Sequence, residues 1–316
     1  MKIKNIYYYY PKKTVSNVDL EKNYPSWKIR ELTKLTGVKK RHISKTNETS
    51  LDMARSLIKK TLKKKKSFLN GIDGIIFCTQ TPDYFLPSNS SVLHGDFNFR
   101  ENIFTLDISH ACSGFLYALG ISDSLIKNNI CKKILIINAD TYSKIINNLD
   151  RSTKSIFSDA AAITIVDKTS NNLMDIEFGA SGRNHDKLIL KGNAFRSNKN
   201  KSNFIEMNGM GIVSFVNSRL PDQINLILKK NNLKLSDINL FLFHQASKIA
   251  LNSLSRILKI PDKKIFYDLE NGNTVSASIP ILISKARKRG LIKKNDLAII
   301  SGFGVGLSWS TAIYRF

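Results

Sequence analysis

Gly74-Ile75-Ile76-Phe77-Cys78 is a short apolar run, and Leu240-Phe241-Leu242-Phe243-His244 repeats it in the second half of the chain. Runs this short, β-branched and aromatic, read as buried strands. Two further pairs follow in the same order. Ile103-Phe104-Thr105-Leu106-Asp107, leading to Cys112, matches Ile265-Phe266-Tyr267-Asp268-Leu269, leading to Asn273. Lys133-Ile134-Leu135-Ile136-Ile137-Asn138 matches Asp296-Leu297-Ala298-Ile299-Ile300-Ser301. Amphipathic helical stretches separate the runs, with Gly114 to Leu125 after Cys112 and Ser276 to Lys288 after Asn273. Alternation of this kind argues an α/β architecture, and the echo argues a duplication. Two copies of one unit are expected around a pseudo-twofold axis, with Cys112 and Asn273 at equivalent corners. His244 is expected at the end of a strand beside that of Asn273. The polar stretch Asp167 to Asn172 divides the copies, giving halves 1–168 and 169–316 within one compact body. A second polar tract, Asn198 to Asn203, reads as an exposed loop.

The composition bounds the function. A chain of 316 residues with 42% hydrophobic content can bury a large core. No stretch approaches the ~20 apolar residues of a membrane span. The opening Met1 to Tyr10 has no apolar segment of the secretory kind, and three cysteines, Cys78, Cys112 and Cys131, cannot all pair. A reducing cytoplasm is therefore expected, and no Cys/His cluster has zinc spacing, so no metal is expected. The formal charge of +24 raises a nucleic-acid reading. The lysines are spread, however, with one dense run at Lys63 to Lys66 and no interleaved aromatic pattern. A solvated basic surface, suited to an acidic partner, accounts for the charge better.

The chemistry-bearing positions sit at the ends of the apolar runs. In Leu106-Asp107-Ile108-Ser109-His110-Ala111-Cys112-Ser113-Gly114-Phe115 a thiol lies at a strand-to-helix corner. The unpaired N–H groups and positive dipole end at such a corner favour a thiolate. By itself the segment also fits an inert buried thiol. His244 ends an apolar run, where it serves either catalysis or a structural hydrogen bond. Asn271-Gly272-Asn273 reads as a turn and helix cap. The glycines of Ser301-Gly302-Phe303-Gly304-Val305-Gly306-Leu307-Ser308 allow close approach of backbone N–H groups to a ligand.

Taken together, Ala-Cys-Ser-Gly-Phe at 111–115, His-Gln-Ala at 244–246, Gly-Asn-Thr at 272–274 with Ala-Ser-Ile-Pro after it, and Gly-Phe-Gly-x-Gly at 302–306 followed by Ser-Trp resemble the β-ketoacyl-[acyl-carrier-protein] synthase III family of the thiolase superfamily. The likeness runs essentially end to end. It includes Thr36-Gly37-Val38, Pro82-Asp83-Tyr84 and Asp150-Arg151-Ser152-Thr153. The resemblance implies a thiolase-like duplicated fold, five-layered αβαβα. It implies Cys112 as acyl-accepting nucleophile, and His244 and Asn273 as the decarboxylation and condensation pair. The backbone N–H groups of Cys112 and Val305 are implied as an oxyanion hole. Arg151, Lys248 and Leu86 are implied in contacts with substrate, carrier protein and partner subunit. The expected reaction loads an acyl group from acyl-CoA or acyl-ACP on Cys112. It then condenses that group with malonyl-ACP, giving β-ketoacyl-ACP and CO₂ in a homodimer without a cofactor. Departures from the family pattern are Glu31 and Leu35 where a Trp and an Arg hold adenine, Ile249 where a basic residue docks the carrier, Val305 inside the glycine turn, and His110 beside Cys112, for which packing is the expected role. The lost adenine contacts motivate an alternative: a specialised acyltransferase of the same fold that passes its acyl group from a carrier protein to an amine or alcohol.

Overall fold

The computed structural model describes residues 1–192 and 202–316. Most of the polar tract 198–203 lies outside the described residues. In the first half the elements run β1 (Lys2–Tyr9), β2 (Lys13–Ser16), α1 (Asn17–Asn23), α2 (Ile29–Thr36), β3 (Lys40–Ile43), α3 (Ser50–Lys64), β4 (Gly74–Cys78), α4 (Asn89–Asp96), β5 (Phe104–Ile108), α5 (Gly114–Lys127), β6 (Lys133–Asp140), α6 (Arg151–Lys154) and β7 (Ala160–Asp167). The second half runs β8 (Leu173–Ala180), β9 (Leu188–Leu190), β10 (Ile205–Met207), α7 (Gly209–Lys230), β11 (Leu240–Phe243), α8 (Lys248–Leu258), α9 (Ser278–Lys288), β12 (Leu297–Gly304) and β13 (Ser308–Arg315).

The sheets repeat one another. The first has the order β1-β7-β6-β4-β5 and the second β8-β13-β12-β11, read from the corresponding edge. In both, two strands that carry the echo run parallel, β4 with β6 and β11 with β12, and the strand beyond β6 or β12 is antiparallel. The run 265–269 is the exception to the expected pattern. Only Ile265 bridges Phe241, where β5 pairs fully with β4. Beyond that bridge the Asp268 N–H donates to the Gln245 side-chain oxygen at 2.7 Å rather than to a strand.

Strand alternation sets the layers. Ile76 and Cys78 face one side of β4, toward Phe115, Leu116 and Leu119 of α5 and Ile279, Leu282 and Ile283 of α9. Ile75 and Phe77 face the other side, toward Leu57 and Ile58 of α3. In the second sheet Leu240 and Leu242 join the α5–α9 core, while Phe241 and Phe243 face Leu220 and Ile224 of α7 and Leu251 and Leu254 of α8. The layers are therefore α3/α4, sheet, α5/α9, sheet, α7/α8, which is the expected five-layered αβαβα body. Burying each large aliphatic side chain in these cores stabilises the fold by about 1.5–3 kcal/mol.

The two copies also share a backbone signature. Ala111 (φ 39°) and Val275 (φ 53°) both adopt left-handed φ, and each opens a 3₁₀ turn leading into α5 or α9. This corrects the expected equivalence of Cys112 with Asn273. The counterpart of Cys112 in the second half is Ser276, and Asn273 lies three residues earlier, ahead of the turn. Trp27, upstream of the Glu31 and Leu35 positions, is buried and stacks on Tyr24 with centroids 4.0 Å apart, a packing role.

Candidate active site

Cys112 is seated by glycines from the other half of the molecule. Its turn packs on β12, where a Cβ on Gly304 would lie 2.9 Å from Cys112 Sγ. A Cβ on Gly302 would lie 2.6 Å from the Cys112 carbonyl oxygen, closer than any side chain tolerates. The helix-entry effect that favours a thiolate meets an opposing one here. Burial, with the Asp140 carboxylate as a second cause, pushes the thiol far above its ordinary range. The backbone N–H groups of Cys112 and Val305 act in the opposite direction and are outweighed. His110 packs its ring 4.0 Å from that of Tyr117, as expected of a packing residue.

His244 follows β11 directly and is almost fully buried. Its N–H donates to the Ser301 carbonyl of β12 at 2.8 Å. Its ring meets Phe303 edge-on, centroids 5.5 Å apart. Nδ1 has no protein partner among the described residues, and burial pushes the imidazole down to about 3, so the ring is neutral at physiological pH. Asn273 is held from three sides. Its N–H donates to the Ile156 carbonyl at 2.9 Å, and its carbonyl accepts from the Ser158 N–H at 2.9 Å. Its side-chain Oδ1 accepts the Val275 N–H at 2.9 Å, leaving the Nδ2 hydrogens as the donating end. Gly272 before it has φ 79°, and a Cβ there would meet the Ile156 carbonyl at 2.8 Å.

Three footholds at the C-terminal end of β12 thus bring Cys112 and His244 together. Ser301 tethers the His244 backbone, Phe303 supports its ring, and Gly304 receives the Cys112 thiol. The turn Val275–Ala277 that follows Asn273 packs on the turn of Cys112. Beside them opens a cavity of about 1080 Å³ whose wall includes Tyr142, Ile145, Leu188, Ile205, Val305 and Gly306. Leu86 is on its rim and 83% exposed. Lys248 is exposed at the start of α8 and lines a separate pocket of about 400 Å³ with Lys39 and Arg289. Arg151 opens α6 and is exposed; it does not line either cavity. Sequence reasoning missed Asp140, Ser276, Gln80 and Tyr142. The signal for the first two was present, an acid closing an apolar strand and a hydroxyl three residues after Asn273.

A duplicated α/β body with a cysteine at its first corner, seated on a glycine strand, defines an acyltransferase of the thiolase-like class. A model of 3-oxoacyl-[acyl-carrier-protein] synthase III matches residues 106–182, and a model of that enzyme's C-terminal part matches residues 228–316. The chain belongs to the β-ketoacyl-[acyl-carrier-protein] synthase III family, a family of condensing enzymes. It is 33% identical to the β-ketoacyl-[acyl-carrier-protein] synthase III of Clostridium tetani over 98% of this chain and 96% of that one. With the enzyme of Ehrlichia canis the identity is 34%, over 97% and 96%. The crystal structure of the Aquifex aeolicus 3-oxoacyl-[acyl-carrier-protein] synthase III superposes with a TM-score of 0.89 at 31% identity, covering 100% of this chain and 99% of that chain. No described helix is long and apolar enough to cross a membrane.

Proposed function

We propose that Cys112 carries the acyl group and that His244 and Asn273 drive its condensation with malonyl-ACP. The observation that carries this reading is that the end of β12 holds both Cys112 and His244, while the turn after Asn273 packs on the turn of Cys112. In the first step Cys112 Sγ attacks the carbonyl of an acyl thioester; the new S–C bond replaces the old one, and the released thiol takes the proton. In the second, malonyl thioester loses CO₂ and the electron pair of the broken C–C bond becomes an enolate. Its oxygen needs donors that bring no charge of their own. A neutral His244 ring and the Asn273 amide meet that need. The enolate carbon attacks the acyl carbonyl, and Cys112 leaves and regains a proton, giving β-ketoacyl-ACP. The N–H groups of Cys112 and Val305 stabilise the oxyanion in both acyl transfers. No cofactor takes part in this scheme.

Arg151 and Lys248 are proposed as contacts for the phosphates of the acyl donor and for an acidic carrier protein, which the charge of +24 suits. Leu86, exposed on the cavity rim, is proposed to enter the partner subunit of a homodimer in the cytoplasm. The division into halves at 168/169, between β7 and β8, completes the reading. Intact-mass measurement after incubation with acyl-CoA and acyl-ACP panels, paired with CO₂ release from malonyl-ACP, tests it. Acylation confined to Cys112 and malonyl-dependent CO₂ release are expected, both lost in Cys112→Ala. Acylation of Cys112 without CO₂ release would overturn the condensing reading.

A further inference from the structure

Ser308 opens β13 and pairs across its turn with Gly304, the residue that receives the Cys112 thiol. Its side chain is buried between the two halves of the molecule. On one side the hydroxyl lies 2.8 Å from that of Ser113, the residue after Cys112. On the other it lies 2.7 Å from the Val305 carbonyl oxygen. Ser113 is itself fully buried, and its hydroxyl also lies 3.1 Å from the His110 carbonyl oxygen. Three contacts therefore share two hydroxyl hydrogens. The His110 carbonyl already accepts the Ser113 N–H at 3.2 Å. The two shortest contacts are both satisfied when Ser113 donates to Ser308 and Ser308 donates to Val305. That order makes a relay from the turn of the nucleophile, in the first half, to the glycine turn of the second. Backbone packing brings the same segments together, since a Cβ on Gly302 would lie 2.9 Å from Ser113 Cα.

We propose that Ser308 is a positioning residue for acyl transfer: clamped between Ser113 and the Val305 carbonyl, its hydroxyl fixes the Val305 N–H against the carbonyl that Cys112 attacks. The proposal rests on Cys112 as nucleophile and on the Cys112–Val305 oxyanion hole, and goes beyond both. An oxyanion hole works by holding its donors where negative charge develops, and removal of one donor costs about 10²–10³ in rate. Val305 stands between Gly304 and Gly306, residues whose backbone has the widest conformational freedom. The Ser308 hydroxyl sets the direction of the Val305 carbonyl, and with it the rotation of the residue whose N–H is the donor. Ser113 ties that setting to the turn of Cys112. Thiol and donor then keep one geometry although they come from different halves.

The test compares two reactions of one thiol. Acylation passes through a tetrahedral oxyanion, whereas iodoacetamide alkylation displaces iodide and forms none. Both rates are measured on the full chain, with mass mapping to Cys112. Acylation is followed in a single turnover at saturating concentration of the fastest donor of the acyl-CoA and acyl-ACP panels. Ser308→Ala is expected to slow acylation about tenfold, less than loss of a whole donor, and to change alkylation less than about twofold. Ser308→Thr retains the hydroxyl and should keep the parental acylation rate. Ser113→Ala should give a smaller selective loss, and none further in the Ser308→Ala background, where the relay is already broken. Equal slowing of both reactions, or acylation at the parental rate in Ser308→Ala, would overturn the proposal. Ser113→Ala decides in the same way if Ser308→Ala does not fold. A parent that no donor of the panels acylates at Cys112 fails the nucleophile assignment instead.

Discussion

His244 illustrates how a residue acquires its chemistry from its surroundings. Free imidazole titrates near ~6.5, and burial pushes this one down to about 3. The folded-state value is depressed, so the unfolded chain binds the extra proton. The ring's contribution to stability is intact above ~6.5 and is lost as pH falls from there toward 3, at about 1.4 kcal/mol per pH unit. Asp140 runs the other way. Its value is raised to about 6, so its contribution is full below ~4 and is lost as pH rises through 6. Replacing His244 with Gln should therefore reduce the loss of stability between pH 7 and pH 5 by about 2 kcal/mol, measured as urea unfolding of both proteins at the two values. Equal losses would mean that the ring is solvated. Cys112 gives the same lesson with the opposite outcome for sequence reasoning. The helix-entry argument for a thiolate was legible in the sequence, but desolvation and the Asp140 charge exceed it.

At the scale of elements, the entry of α5 shows why the nucleophile's motif has its small residues. A Cβ on Gly114 would come 2.2 Å from Cys78 Sγ, on the buried strand β4. Gly114→Ala is therefore expected to lower stability by about 1–3 kcal/mol, as overpacking does, and to displace the Cys112 turn. Cys78→Ala, which removes the opposing sulphur, should recover most of that loss. A double-mutant cycle by thermal unfolding measures the coupling, and additive effects would show that the helix shifts freely. The strands carrying the echo were legible because a fully buried strand must be apolar on both faces. The run 265–269 has the same composition and forms a single bridge. There the Asp268 N–H donates to the Gln245 side chain instead of to a strand, a pairing no periodicity announces.

At the scale of the whole molecule, two large apolar cores and a small cluster of Ala160, Ala162, Ala277 and Ile281 tie the halves together. Contacts between the ends of the chain add to them, such as the Ile3 N–H donating to the Tyr314 hydroxyl at 2.7 Å. Tyr84, Phe85 and Leu86 stay largely exposed beside the cavity mouth. An apolar run in that place is costly to leave in water. Under the dimer proposal, sedimentation should give a dimer for the parent and a monomer for Leu86→Asp, with slower Cys112 acylation in the variant. A monomeric parent that acylates normally would remove Leu86 from the site.

The sequence by itself determined the α/β class, the duplication and the candidate trio, because buried strands must be apolar and a repeated unit must repeat its pattern. Four ordered motifs named the family for the same reason: each is a local demand of backbone or chemistry. Tertiary structure alone decided that Ser276 and not Asn273 is the counterpart of Cys112. It also decided that burial raises the Cys112 thiol, and that Asp140 hydrogen-bonds across the halves to Ser276. Those outcomes depend on which groups burial deprives of water and on partners more than a hundred residues apart, as with Asp140 and Ser276. Neither quantity is written in any local stretch of the chain.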